Sequence, residues 1–87
     1  MLTDYINAAM KHAHYEILDD QPSDPFYGEI RETPGVLAIG RTLEECREEL
    51  RSALEVWILL GVHFGTPIPV VDGIDLNALL VPSQEAA

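Results

Sequence analysis

Positive charge is scarce in this chain: five Lys and Arg stand against fifteen Asp and Glu, a formal net charge of −10 over 87 residues. Such a surface repels phosphate backbones and anionic membranes, so a macromolecular partner is expected to be basic and direct nucleic-acid binding is not expected. The single cysteine, Cys46, has no second thiol in the chain to pair with. The N-terminus also lacks a basic start followed by an apolar run and a small-residue cleavage site. Both absences point to a reducing, cytoplasmic setting. Long hydrophobic runs are missing too: the strongest, Val56 to Phe64, falls well short of the about 20 apolar residues of a membrane span. There are no internal repeats or low-complexity tracts, and the length fits a single domain, 1–87, around one small core.

What is present is a change of hydrophobic period along the chain. Leu2, Tyr5, Ile6, Ala9 and Met10 recur at helical spacing and predict a short amphipathic helix over 2–12, with Thr3 or Asp4 as its cap. From His14 the period is two, placing Tyr15 and Ile17 on one side of a strand and His14, Glu16 and Leu18 on the other. The stretch DDQPSDP (19–25) is dense in turn formers and should reverse the chain. FYGEIRE (26–32) then reads as a second strand, with Phe26, Gly28 and Ile30 on one face and Tyr27, Glu29 and Arg31 on the other. TPG (33–35) is a turn and VLAIG (36–40) a short third strand. Gly28 and Gly40 lack a phosphate-loop context and read as strand irregularities or turn positions.

A long helix follows. Thr42 and Glu45 form the T-x-x-E pattern that satisfies free amide donors at a helix start, and Glu44 and Glu45 suit the positive end of its dipole. Cys46, Leu50, Ala53, Leu54, Trp57 and Gly61 mark the stripe that should lie on the sheet; Glu44, Arg47, Glu48, Arg51 and Glu55 mark the opposite side, where Glu48, Arg51 and Glu55 are spaced for surface ion pairs. Towards its end the helix loses its polar face. Val56, Ile58, Leu59, Leu60 and Val62 cannot all point at one thin sheet, so a second burial surface is implied. Either the N-terminal helix or the C-terminal segment covers it, or these five residues form a subunit interface in a homo-oligomer, a dimer or tetramer. Gly65 should end the helix, and TPIPVVDGIDL continues as an extended segment whose prolines suit a sheet edge. The fold class is therefore α+β: a small antiparallel sheet of three or four strands on one long helix, in β-β-β-α-β order with an added N-terminal helix. The core should span about 13–75, and the tail, about 80–87, should be loose.

In that order, the strand HYEIL, the later YGEI, the run PGVLAIGRTLEE, its continuation CREELRSALEVWI and GTPIP after the helix resemble the HicB family of antitoxins over residues 13–69. The most specific element is the Pro34-Gly35 turn, a strand ending in Gly40, and Thr42-Leu43-Glu44-Glu45 opening a helix; the family often has Ala where this chain has Cys46. The resemblance implies a partial ribonuclease H-like fold that has lost catalysis. It also implies a role in neutralising a small basic toxin, the HicA-type messenger-RNA ribonuclease, by occlusion. Many family members carry a C-terminal DNA-binding domain; here the chain after GTPIP runs only to Ala87, and operator binding is not carried over.

Catalysis of the ribonuclease H kind needs carboxylates converging on divalent metal ions. Glu44, Glu45, Glu48 and Glu49 instead follow one another around one helix start, and Glu16 and Glu29 fall beside ordinary solvent-facing strand residues, so no catalytic, cofactor-binding or metal residue is assigned. His12 and His14 flank one residue but lack an evident third ligand, since His63 lies at the apolar end of the long helix. Cys46, on the apolar stripe among glutamates, reads as a buried small hydrophobe rather than a nucleophile. Trp57 reads as core, with an interface anchor as the other option. The candidate partner contacts are Glu44, Glu48 and Glu55 on the helix and Tyr27 and Glu29 on a strand face. A stand-alone oligomeric accessory or small-ligand-binding protein on the same scaffold is the alternative. A neighbouring short basic reading frame would favour the antitoxin.

Overall fold

The structure, a computed structural model, describes residues 1–77. Helix α1 (Leu2–Lys11) leads into strands β1 (Ala13–Ile17), β2 (Phe26–Ile30) and β3 (Val36–Gly40), and helix α2 (Leu43–Phe64) follows. The strands form one antiparallel sheet in the order β1-β2-β3. The expected tail, residues 80–87, lies outside the described residues.

Register determines which side chains share a face. Tyr15 pairs with Gly28 and Gly28 with Ala38, while Ala13 pairs with Ile30 and Ile30 with Val36. Because side chains alternate along a strand, these residues lie on the face that α2 covers. Cys46, Leu50, Leu54 and Ile58 of α2 are buried, together with Ile30, Val36 and Ala38. Gly28 and Gly40 sit inside regular strands, which corrects their reading as irregularities or turns. Their role is spatial: a Cβ on Gly40 would lie 2.6 Å from the Cys46 amide nitrogen, and one on Gly28 would lie 2.9 Å from the Tyr15 ring and 3.2 Å from Cys46 Sγ. Close approach of α2 to the sheet requires both positions to be bare.

The start of α2 forms as its sequence dictates, with one difference. Thr42 Oγ1 accepts from the Glu45 amide at 3.0 Å, but the Glu45 carboxylate reaches past Thr42 and accepts from the Arg41 amide at 3.0 Å. Gly65 ends the helix in the left-handed region, at φ 69°, where the absence of a side chain carries no penalty. The Glu48–Arg51 and Arg51–Glu55 pairs do not form; Arg51 Nη2 instead donates to Asn7 Oδ1 of α1 at 3.2 Å.

The expected N-terminal helix, three strands and long helix all form; residues 66–77 add no fourth strand among the described residues, so only the final strand of the expected β-β-β-α-β order is corrected, to a trailing strap. Pro67 and Pro69 offer no amide donors to a ladder. Both backbone groups of Ile68 are taken by one side chain: its amide donates to Asn77 Oδ1 at 2.9 Å and its carbonyl accepts from Asn77 Nδ2 at 2.6 Å. The strap turns back at Asp72 and Gly73, both at positive φ, with Val71 bridging Ile74. Ile68, Val71 and Leu76 are buried in one cluster with Tyr5, Ile6 and Ile58, and the Tyr5 hydroxyl donates to the Pro69 carbonyl at 2.6 Å. Helix α1 and the strap thus cover part of the second face of α2.

Candidate functional site

No described element covers the other face of the sheet. Pairing of His14 with Glu29 and of Glu29 with Leu37 makes one row across it; pairing of Glu16 with Tyr27 and of Tyr27 with Ile39 makes the next. Tyr27 and Glu29 are on the central strand and stand at the middle of this platform. The Tyr27 hydroxyl donates to Glu29 Oε1 at 3.0 Å and Arg31 Nε donates to Glu29 Oε2 at 3.0 Å. The Arg31 and Tyr27 hydrogen bonds hold the Glu29 carboxyl below the ordinary range, so it stays ionised. Partial burial and then the Glu29 contact push the Tyr27 phenol up, keeping it a proton donor. Leu37 and Ile39 are about half exposed beside them, at 52% and 51%. The platform therefore combines a fixed carboxylate, an aromatic and two aliphatic side chains.

Glu44, Glu48 and Glu55, the other three partner-contact candidates, are all exposed on α2. Helix α2 packs on the opposite face of the sheet, so the five candidates fall on two sides of the protein rather than in one site. Glu45 is not free: besides its cap contact, it accepts from Arg41 Nη2 at 3.1 Å, and the Arg41 contacts lower its carboxyl pKa.

Of the interface candidates, Ile58 is only 4% exposed and belongs to the chain's own core, forming only the floor of an outward surface. Val56, Leu59, Leu60 and Val62 are exposed and part into two groups. Leu59 and Val62 line a groove of about 460 Å³ with Leu2, Ile6, Ile58 and Leu76, rimmed by Glu55. Val56 and Leu60 face a different cleft, between α2 and the outer edge of β3, that also holds Trp57. Trp57 is half-buried, so it is both part of the packing and part of that cleft wall.

The histidines are not brought together. His12 ends α1, clamped between Asp72 Oδ1 at 2.8 Å and Glu32 Oε2 at 3.2 Å. The Asp72 hydrogen bond raises its pKa. His14 lies on the open sheet face and His63 in the last turn of α2, edge-on to the Phe64 ring. Among the described residues no group of three or more His, Cys, Asp or Glu is placed to hold a metal ion. Cys46 is buried, its thiol 3.7 Å from the Ala38 carbonyl, and burial rather than the neighbouring glutamates pushes its pKa up.

Sequence reasoning missed Leu37 and Ile39 as platform residues, although alternation along VLAIG and the burial of Val36 and Ala38 carry the signal. It also missed the His12 clamp and the Asn77 brace, whose partners lie far away in the chain or come from side chains with no periodicity.

No curated protein matches the chain. The crystal structure of TTHA0281 from Thermus thermophilus is similar at 40% sequence identity and a TM-score of 0.78, over 85% of this chain and 89% of that one. The family described as UPF0150-like matches residues 4–69, a span that takes in all three strands, α2 and all but the first two residues of α1, and the chain belongs to that family.

Proposed function

We propose that this protein is a HicB-like antitoxin: a non-catalytic subunit that binds a small basic messenger-RNA ribonuclease of the HicA type and covers its RNA-binding groove. The observation that carries the reading is the presentation of charge. The chain has a net charge of −10, and none of the Asp or Glu residues among those described is buried. Membership of the UPF0150-like family and the resemblance to HicB supply the scaffold. A field of this sign speeds encounter with a basic protein and disfavours acidic competitors.

The open sheet face is the docking surface in this reading. Glu29 is already fixed by Tyr27 and Arg31, so little side-chain entropy remains to be lost when it pairs with an Arg or Lys of the toxin. Tyr27 and the half-exposed Leu37 and Ile39 provide the aromatic and apolar contact that concentrates binding energy. The carboxylates of the described residues, scattered rather than grouped for metal binding, fit inhibition by occlusion with no chemistry of its own.

The test is association kinetics with a small basic ribonuclease of the HicA type. Glu16→Lys with Glu29→Lys should slow association and flatten its salt dependence, whereas Glu44→Lys with Glu48→Lys should change the rate only through net charge. A larger effect from the helix pair would move the docking surface to α2. The groove around Leu59 and Val62 has the volume of a small-ligand site, which favours the small-ligand-binding alternative; saturable uptake of an apolar dye, abolished by Leu59→Glu, would support it.

A further inference from the structure

We propose that the free edge of β3, with the adjoining side of α2, is where a second copy of this chain docks, joining two three-stranded sheets into one of six. Among the described residues strand β3 is the end member of the sheet order β1-β2-β3, and none of them pairs with its outer side, which offers backbone donors and acceptors. Its sequence, VLAIG, has no charge, proline or bulge, the devices by which soluble proteins blunt such an edge. Beneath that edge lies an open cleft of about 520 Å³, walled by Ala38 of β3 and by Ser52, Val56, Trp57 and Leu60 of α2. Val56 and Leu60 are a turn apart on the helix and remain 54% and 49% exposed.

Two features of this ledge select a second copy over another occupant. The first is its self-complementarity. A five-residue strand paired antiparallel with itself about its middle residue, Ala38, sets Leu37 against Ile39 of the other copy on the open face. The same register sets Val36 against Gly40 on the covered face. One patch thereby meets itself about a two-fold axis, as an isologous interface requires, and the half-exposed Leu37 and Ile39 of both copies become cross-strand pairs. The second is charge. On a chain of net charge −10, Glu49 is the one ionisable residue among the described residues that line the ledge. Two acidic copies can meet here with little like-charge opposition, while a basic partner would find almost nothing to neutralise. The aliphatic stripe of α2 then packs on its counterpart beneath the joined sheet, and the two platforms bearing Tyr27 and Glu29 lie side by side. This assembly does not depend on a toxin partner.

The experiment is light scattering of the purified full-length chain at micromolar concentration, paired with amide hydrogen exchange. The native chain should have a mass that Val56→Glu with Leu60→Glu halves, down to the 9.6 kDa of a single chain if the assembly is a dimer. Circular dichroism should be unchanged, because both positions are exposed. Outward-facing β3 amides should exchange about tenfold or more faster in the double variant. Leu59→Glu, on the other side of α2, should leave mass and exchange as they were. A native chain that stays at 9.6 kDa, or a mass halved by Leu59→Glu but not by the double variant, overturns the proposal. So does protection of the β3 edge that appears only when a basic protein is added, since the edge would then belong to that partner.

Discussion

Three glycines make different demands on the space around them, and replacing each with alanine should give three different stabilities. Gly28, Gly40 and Gly61 all have ordinary negative φ, so the added methyl group is the whole perturbation. At Gly40 it would lie 2.6 Å from the Cys46 nitrogen and 2.8 Å from the Cys46 Cα. These are backbone atoms in the first turn of α2, and relief requires the helix to move off the sheet. Overpacking that shifts backbone costs about 1–3 kcal/mol; with no side chain able to give way, Gly40→Ala belongs at the upper end, about 2–3 kcal/mol. For a domain of this size that lowers Tm by about 10–20 °C. At Gly28 the clash is with the Tyr15 ring at 2.9 Å and Cys46 Sγ at 3.2 Å. The ring is half-buried on an edge strand and can swing, so about 1 kcal/mol and about 5 °C are expected. At Gly61 the nearest atom is Ile68 Cγ1 at 3.5 Å, an ordinary contact. Alanine is favoured over glycine in a helix by about 0.8–1.0 kcal/mol, so Gly61→Ala should stabilise. Urea denaturation and thermal melts at one fixed chain concentration give the order Gly61→Ala, native, Gly28→Ala, Gly40→Ala. A Gly40→Ala protein as stable as the native one would refute the account of how α2 seats on β3.

Removing the cap with Thr42→Ala should cost about 1 kcal/mol, visible as a lower urea midpoint at an unchanged slope. Tyr5→Phe deletes the bond to the Pro69 carbonyl and should cost about 1 kcal/mol; Asn77→Ala leaves both backbone groups of Ile68 unpaired and should cost about 1–3 kcal/mol, with faster amide exchange across residues 66–77 in each case. The His12 clamp makes stability depend on pH. Its folded pKa is raised by Asp72, then Glu32, so its contribution is fully present below the unfolded value of about 6.5 and fades as pH rises through the folded value. Proton NMR should show His12 titrating above the unfolded value of about 6.5, and Asp72→Asn should lower the His12 midpoint and flatten the loss of stability on the alkaline side; an unmoved midpoint would mean the clamp is absent in solution.

Where a residue's partners lie a few positions away, the sequence was a good guide. Thr42 and Glu45 announced the start of α2, Gly65 its end, and the period-two runs around Tyr15, Gly28 and Ala38 located the three strands. Long-range competition was not legible. Arg51 is spaced for two glutamates on its own helix, yet Asn7 of α1 takes it. The strap reads as a fourth strand because nothing in TPIPV reveals that the Asn77 side chain will occupy both backbone groups of Ile68. The partner-contact candidates were legible as acids and as an aromatic. Their division between two sides of the protein was not, because it follows from which sheet face α2 covers, and that is set by the bare Cβ positions at Gly28 and Gly40. The same geometry drew Ile58 into the core and left Val56 and Leu60 outside it.

The most direct test of the antitoxin reading is affinity purification of the native protein from its own cells at low salt, with bound proteins identified by mass spectrometry and then eluted along a salt gradient. One small basic protein is expected at near-equal stoichiometry, released as ionic strength rises and lost when Glu16 and Glu29 are both replaced by Lys. Recovery of the chain with copies of itself alone, unchanged by salt, would contradict it.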